Sequence, residues 1–326
     1  MAEIKIVDSL STLQDCLATL SKTPASPPQL FIDLEGTNLS RQGTLSIVSI
    51  YAAHKQIVYL IDVLKLGAAA FAPVPGTGTK PAPKLPSLQS ILESRSIQKV
   101  IFDVRNDSDA LFGHYNIRLA GVQDLQLMEL AGRRGSKKYV SGLAKCIERD
   151  LSLSGVERRA WKERKDEIVR LLNAAKGAAG GYEVFDERPM PSIVREYCAA
   201  DVVHLPALYK VYNQRMSRAW KAKMQAETDE RVRLSQQQEY EANGKDKVLG
   251  PWGQNTHQQP PILAGDPEDT YTWEDDLKWE AKWAAVFGDI EDEFSDFFDD
   301  YWDDYQDLAR DCIGWEEDMI KNGELF

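Results

Sequence analysis

Asp33 and Glu35 stand one residue apart at the end of an apolar run, Leu30-Phe31-Ile32-Asp33-Leu34-Glu35-Gly36. Side chains alternate faces along a strand, so both carboxylates project from one face, a single pleat apart. Like charges that close repel. A divalent cation, which takes hard carboxylate oxygens, is the compensation this chemistry suggests. Two solvated acids at a strand end would give the same triplet, so the pair needs partners before it counts as a site.

Two further segments offer partners. In Phe102-Asp103-Val104-Arg105-Asn106-Asp107-Ser108-Asp109 a strand gives way to a helix, where carboxylates meet the positive end of the helix dipole. Asp107 is the candidate there, with Asp103 and Asp109 as competitors and an ordinary helix cap as the alternative role. In Tyr197-Cys198-Ala199-Ala200-Asp201 a phenol and a carboxylate four residues apart share one helix face. A packed tyrosine beside a surface acid would have the same spacing.

The elements that must position these groups follow from hydrophobic periodicity. Helical spacing over 9–21 precedes three β-branched-rich runs, 29–34, 44–51 and 56–63, whose short connections predict hairpins. A Pro-, Gly- and Ala-rich stretch, 67–86, is expected to be a flexible surface insertion. Beyond it come a helix over 87–95, a strand over 99–102 and a helix entered at 106–108. A strand over 120–125 and a helix over 139–150 complete the alternation. Hairpins followed by strand-helix alternation predict an α/β, ribonuclease H-like fold: a mixed five-stranded sheet flanked by helices. A charged helix over 157–175, a glycine-rich break at 177–181 and a helix from 192 follow. Residues 206–243 read as one long charged helix with a solvent-exposed distal half. The expected organisation is a first domain over 1–215, a charged helical extension over 216–249 and an acidic, aromatic tail over 250–326.

Charge divides along the chain. Residues 265–326 hold 22 acidic against four basic side chains, a local net of −18, while the other 264 residues carry 35 basic and 29 acidic, a net of +6. A mildly basic body suits a polyanion. In the tail, aromatics such as Trp273, Trp279, Phe298 and Trp302 interleave with the acids. A merely solubilising tether lacks them, so a protein partner is expected, or competition with nucleic acid for the basic body. Cys16, Cys146, Cys198 and Cys312 are scattered, with no C-x-x-C pair, which disfavours a disulfide framework or structural zinc. Neither a membrane span nor a secretory leader is apparent. The expected setting is intracellular, nucleus or cytoplasm, with no membrane contact.

Taken in order, D-x-E on the first apolar strand, N-D-x-x-x-L after the fourth and Y-x-x-x-D on a late helix resemble the DEDDy class of 3'-5' exonucleases over residues 5–212. Lys99 to Asp107 looks like the second exonuclease motif of RNase D-like proteins. Tyr139-Val140-Ser141-Gly142-Leu143-Ala144-Lys145 resembles the family's helix opening, and Arg188-Pro189 leads into its third motif. Egalitarian-like exonuclease-domain proteins are the most similar subgroup. The resemblance implies Asp33, Glu35, Asp107 and Asp201 as ligands of two divalent ions, Mg²⁺ or Mn²⁺, with Tyr197 orienting the attacking water. It places Asp33 as the bridging ligand, Glu35 and Asp201 on the nucleophile side, and Asp107 on the leaving-group side. It implies a single-stranded RNA or DNA 3' end as substrate, with an RNA-binding adaptor that keeps the exonuclease fold but has little or no catalysis as the alternative. Arg105, Lys137, Lys138, Arg158 and Arg159 are candidate phosphate contacts, joined by Lys162 and Lys165. Asp124 is expected to cap or end a strand, and Glu129 and Glu93 to lie on the surface.

Overall fold

The computed structural model describes residues 2–24, 26–74, 85–174 and 182–252. Contacts gather Met1–Gln258 into one compact unit and Gln259–Phe326 into another. The second unit lies outside the described residues, as do the glycine-rich break at 177–181 and the acidic tail from 253 onward.

Six strands form one mixed sheet: β1 (Glu3–Val7), β2 (Leu30–Glu35), β3 (Ile47–Ala52), β4 (Ile57–Asp62), β5 (Lys99–Ile101) and β6 (Val122–Asp124). Their order is β1-β4-β3-β2-β5-β6. β2, β3 and β4 are antiparallel neighbours, as their short connections require, while β5 joins β2, β6 joins β5 and β1 joins β4 in parallel. The five-strand expectation is corrected by β1. Its Glu-Ile-Lys-Ile-Val sequence sits at the sheet edge with its first three residues exposed, so it lacks the apolar density that marks the inner strands.

The helices are α1 (Leu10–Leu20), α2 (Val63–Leu66), α3 (Leu88–Leu92), α4 (Val104–Tyr115), α5 (Leu125–Gly132), α6 (Leu143–Asp150), α7 (Gly155–Ala174), α8 (Ser192–Val203), α9 (Leu205–Arg215) and α10 (Arg218–Ser235). β2 is apolar on both faces because helices cover both. Leu30, Ile32 and Leu34 enter one core with Leu13 and Leu17 of α1, Ile91 of α3 and Leu111 of α4. Phe31, on the opposite face, enters a second core with Met128 of α5, Cys198 of α8 and Leu208 of α9. Asp33 and Glu35 share the Phe31 face, so strand alternation delivers them to the side on which α8 packs.

Helix boundaries depart from expectation for local reasons. α4 starts at Val104 because Asp103 takes a left-handed conformation (φ 59°) that turns β5 into the helix. α6 starts only at Leu143, since Tyr139 is extended and forms an antiparallel bridge with Leu249. The helix expected over 206–243 is two: Met216 is extended, and Ser217 caps α10 by accepting from the Trp220 N–H.

The distal half of α10 exposes Asp229, Arg233 and Leu234 but buries its other face. Thr228, Arg231 and Ser235 are 0%, 5% and 0% accessible, and the helix packs against α4, α5 and β6. Those buried residues are polar and satisfied by hydrogen bonds, a pattern that hydrophobic periodicity does not register. Residues 216–249 are therefore part of the first compact unit rather than an appendage. The segment expected as an insertion also begins inside the fold. Gly67–Ala70 forms a 3-10 turn, Ala70 and Phe71 are buried, and the Phe71 ring lies 4.4 Å from that of Tyr115. Residues 75–84 lie outside the described residues. Among the described residues no helix is long and apolar enough to cross a membrane.

Candidate metal centre

Asp33 and Glu35 of β2 meet Asp201 of α8, with one carboxylate oxygen from each within 4.8 Å of the others. α8 turns Val194, Cys198, Ala199 and Val202 into the core, which fixes its rotation and brings Asp201 and Tyr197 to the end of β2. Gly36 closes that strand: a Cβ there would stand 2.1 Å from the Thr44 carbonyl oxygen, so this close approach demands glycine.

Crowding and burial raise the carboxyl pKa values. Burial pushes Asp33 up to about 6 and, with the Asp33 charge, Asp201 up to about 8. Glu35 rises well above the carboxylate range through burial first, then through Asp33 and Asp201. A hydrogen bond between Glu35 and Asp33 lowers Asp33 and raises Glu35. Tyr197 shares a side-chain hydrogen bond with Asp201, whose charge, followed by burial, holds the phenol well above its ordinary value.

Of the three acids around the start of α4, the structure separates Asp107 from its competitors. Asp103 is gripped by the Arg105 fork, Nε to Oδ1 at 2.6 Å and Nη2 to Oδ2 at 2.5 Å. Asp109 accepts from the Arg41 backbone N–H at 2.7 Å and from Arg41 Nε at 2.5 Å. Asp107 is not a cap. It is 5% accessible in the first turn, and its Oδ2 has no hydrogen-bond partner among the described residues. Burial, and next the Asp33 charge, raise it well above the carboxylate range. Its charge acts on Glu35 as well, which puts it in the same electrostatic cluster, while the carboxylate oxygens that lie within 4.8 Å of one another are those of Asp33, Glu35 and Asp201. Four carboxylates, one with a buried unpaired oxygen, form a hard-oxygen donor set of the kind that suits divalent cations.

The remaining acids have structural work. Asp124 caps α5 by accepting from the Gln126 and Leu127 N–H groups, as its strand-end position predicts. Glu129 is buried rather than on the surface, held by Arg133 at 2.5 Å and Arg149 at 2.7 Å, because α5 sits between β6 and α9. Glu93 is half-buried and accepts from the Arg118 N–H at 3.1 Å.

The candidate phosphate contacts scatter. Arg105 is occupied by Asp103 and the Lys247 carbonyl, Lys137 stacks 4.8 Å from the Trp220 ring, and Lys138 lies 5.1 Å from Tyr139. Arg158, Arg159 and Lys162 are exposed on α7, and the charge of Lys165 on the same helix acts on Asp201.

Two supports escape sequence reading. Asp186 accepts from Thr37 Oγ1 at 3.1 Å and from the Ser46 hydroxyl, tying the approach to α8 to the loop beyond β2. Arg188 forks onto Asp62 at the end of β4. Only the Arg188-Pro189 dipeptide hints at this in the sequence.

A family model described as 3'-5' exonuclease matches residues 4–216. The piRNA biogenesis protein EXD1 of Mus musculus is 36% identical over 176 residues, 54% of this chain and 27% of the relative, so the chain spans about a quarter of that protein's length. A Trypanosoma brucei RNase D structure with GMP is similar at a TM-score of 0.59 and 22% identity, covering 76% of this chain and 69% of that one. The T. brucei RNase D complex with RNA U12 gives 0.57 and 20%, covering 76% of each. The structural likeness concerns the fold, and the fold agrees. The family match covers most of the chain, and this chain belongs to the 3'-5' exonuclease family.

Proposed function

We propose that this protein is a metal-dependent 3'-5' exonuclease that hydrolyses phosphodiester bonds at the 3' end of a single-stranded nucleic acid. The convergence of Asp33, Glu35 and Asp201 within 4.8 Å, with Asp107 in the same electrostatic cluster, carries this reading. Asp33, Glu35, Asp107 and Asp201 would hold two ions, Mg²⁺ or Mn²⁺. Asp33 is the group best placed to be shared, since its charge acts on the other three alike. Bound there, such ions supply a water of lowered pKa and charge neutralisation at the leaving oxygen.

The protein's own groups do the rest. Tyr197 keeps its proton at neutral pH because its pKa is raised, so it orients a water beside Asp201 rather than deprotonating it. Glu35 and Asp201 adjoin Tyr197 and belong to the attacking side, and Asp107, on α4, to the leaving side. Arg158, Lys162 and Lys165 on α7 would guide the phosphate backbone toward Asp201. Single-stranded RNA is the favoured substrate class, supported by the RNA held in the RNase D neighbour and by the name of the EXD1 relative.

Labelled single-stranded RNA and DNA, incubated with the full chain with and without Mg²⁺ or Mn²⁺, test the reading beside an Asp33→Ala, Glu35→Ala double variant. Metal-dependent shortening from the 3' end that the double variant lacks is expected. Retained binding without shortening on any substrate would leave the adaptor reading in its place. The tail, at a net −18, has the composition to hold a basic protein partner. Polylysine binding at about 0.15 M salt, by the full chain but not by one ending at Trp252, checks that chemistry.

A further inference from the structure

The first turn of α4 is held from the far end of the described chain. Arg231, 5% accessible on α10, donates from Nη1 to Asp124 Oδ2 at 2.8 Å and Gln126 Oε1 at 3.0 Å, and lies 3.5 Å from Asp103 Oδ1. Asp124 in turn accepts from the Asp103 N–H at 3.1 Å and the Val104 N–H at 3.2 Å, so one buried ion pair fixes the left-handed corner from which α4 departs. Arg105 Nη2 reaches the Lys247 carbonyl at 2.9 Å, and the Tyr240 hydroxyl bonds Asn106 Oδ1 at 2.9 Å. Residues 103 to 106 are thus each tied, directly or through Asp124, to the segment 231–247. The next residue is Asp107.

Asp107 needs such support more than Asp33 or Glu35 does. Those two stand on β2, where both are in register with β3 (Asp33 with Ser49, Glu35 with Ile47) and the residues just before them, Leu30 to Ile32, also pair with β5. Asp107 stands one turn into a helix that begins with a non-glycine residue at positive φ, a conformation that persists only where its surroundings impose it. A ligand displaced by even half an ångström loses affinity for a hard cation, and groups that orient ligands carry a large share of a site's strength.

We propose that Arg231 and Tyr240 are positioning residues for Asp107: α10 and the segment after it form a brace that sets the fourth carboxylate of the cleft. This rests on the exonuclease reading above. It assigns a role in the metal site to residues beyond the exonuclease match, which ends at residue 216. Neither side chain is assigned a contact with substrate or ion.

Calorimetric titration of the full chain with Mn²⁺ tests the brace, with Asp107→Asn marking the binding step that depends on Asp107. Tyr240→Phe and Arg231→Met are each expected to weaken that step by about tenfold, the scale carried by ligand-orienting partners, and to leave the other step unchanged. On RNA, kcat should fall while KM stays near wild type. Tyr240→Phe removes one half-buried hydroxyl that makes a single hydrogen bond to Asn106, and it is expected to melt close to wild type. It therefore keeps the test decisive if Arg231→Met does not fold. Wild-type Mn²⁺ affinity in any folded variant overturns the brace alone. A wild-type chain that binds no Mn²⁺ overturns the exonuclease reading and the brace with it.

Discussion

Arg188 forks onto Asp62, with Nε to Oδ2 at 2.6 Å and Nη2 to Oδ1 at 2.9 Å. The pair joins the end of β4 to the segment that enters α8 with Tyr197 and Asp201. Asp62 is buried at 3% side-chain accessibility, so losing Arg188 leaves its charge without a cationic partner, with the Lys65 N–H still donating to it at 3.0 Å. Arg188→Met is expected to cost on the order of 3 kcal/mol. At roughly 2–4 °C per kcal/mol for a domain of this size, melting falls by about 6–12 °C. Thermal melts followed by circular dichroism measure this, and an unshifted transition would show that the fork does not hold the segment.

Tyr197 sits one helical turn from Asp201 and shares a hydrogen bond with it. A phenol that orients water affects the chemical step more than binding. Tyr197→Phe is expected to lower kcat about 100-fold and leave KM for RNA near wild type. A matched rise in KM with kcat intact would move Tyr197 from the water to the substrate.

The crowded acids give the metal-free protein a pH signature. Asp33 near 6 and Asp201 near 8 are raised in the fold, so between about pH 4 and pH 8 the folded chain binds more protons than the unfolded one. Stability contributed by such groups is present below the unfolded value and lost as pH rises through the folded ones. In EDTA the melting temperature should drop from about pH 5 to pH 8, and Mg²⁺ or Mn²⁺ should remove most of that drop. Asp33→Asn should also shrink it, raising stability at pH 8 while abolishing cleavage. Melts at both pH values with and without EDTA decide this; a flat wild-type profile in EDTA contradicts it.

Much of the site was legible because its residues lie on elements with strong periodicity. Phe31, Asp33 and Glu35 alternate with Leu30, Ile32 and Leu34, and Tyr197 and Asp201 are one turn apart on an apolar-faced helix. Sequence alone did not separate Asp107 from Asp103 and Asp109. Their difference is which arginine reaches them, and Arg41, Arg105 and Arg231 arrive from three separate parts of the chain. β1 and α10 were under-read for a common reason. β1 exposes Glu3, Ile4 and Lys5 and buries only Val7, while α10 is buried largely through Thr228, Arg231 and Ser235, so in neither does hydrophobic spacing mark the element.

Lys165 lies on one face of α7 with Arg158 and Lys162, at spacings of seven and three residues, and its charge reaches Asp201. Its ammonium is 5.5 Å from the ring centre of buried Trp161. A cation there that also contacts a phosphate would add affinity without reading sequence. Lys165→Gln is expected to weaken RNA binding evenly across sequences and to shallow the slope of log affinity against log salt by about 0.7, the release expected for one phosphate of a single strand. Mn²⁺ affinity should change little, since Lys165 is not an oxygen donor. An unchanged salt slope with normal affinity would confine Lys165 to its place beside Trp161 and move the strand's approach away from α7.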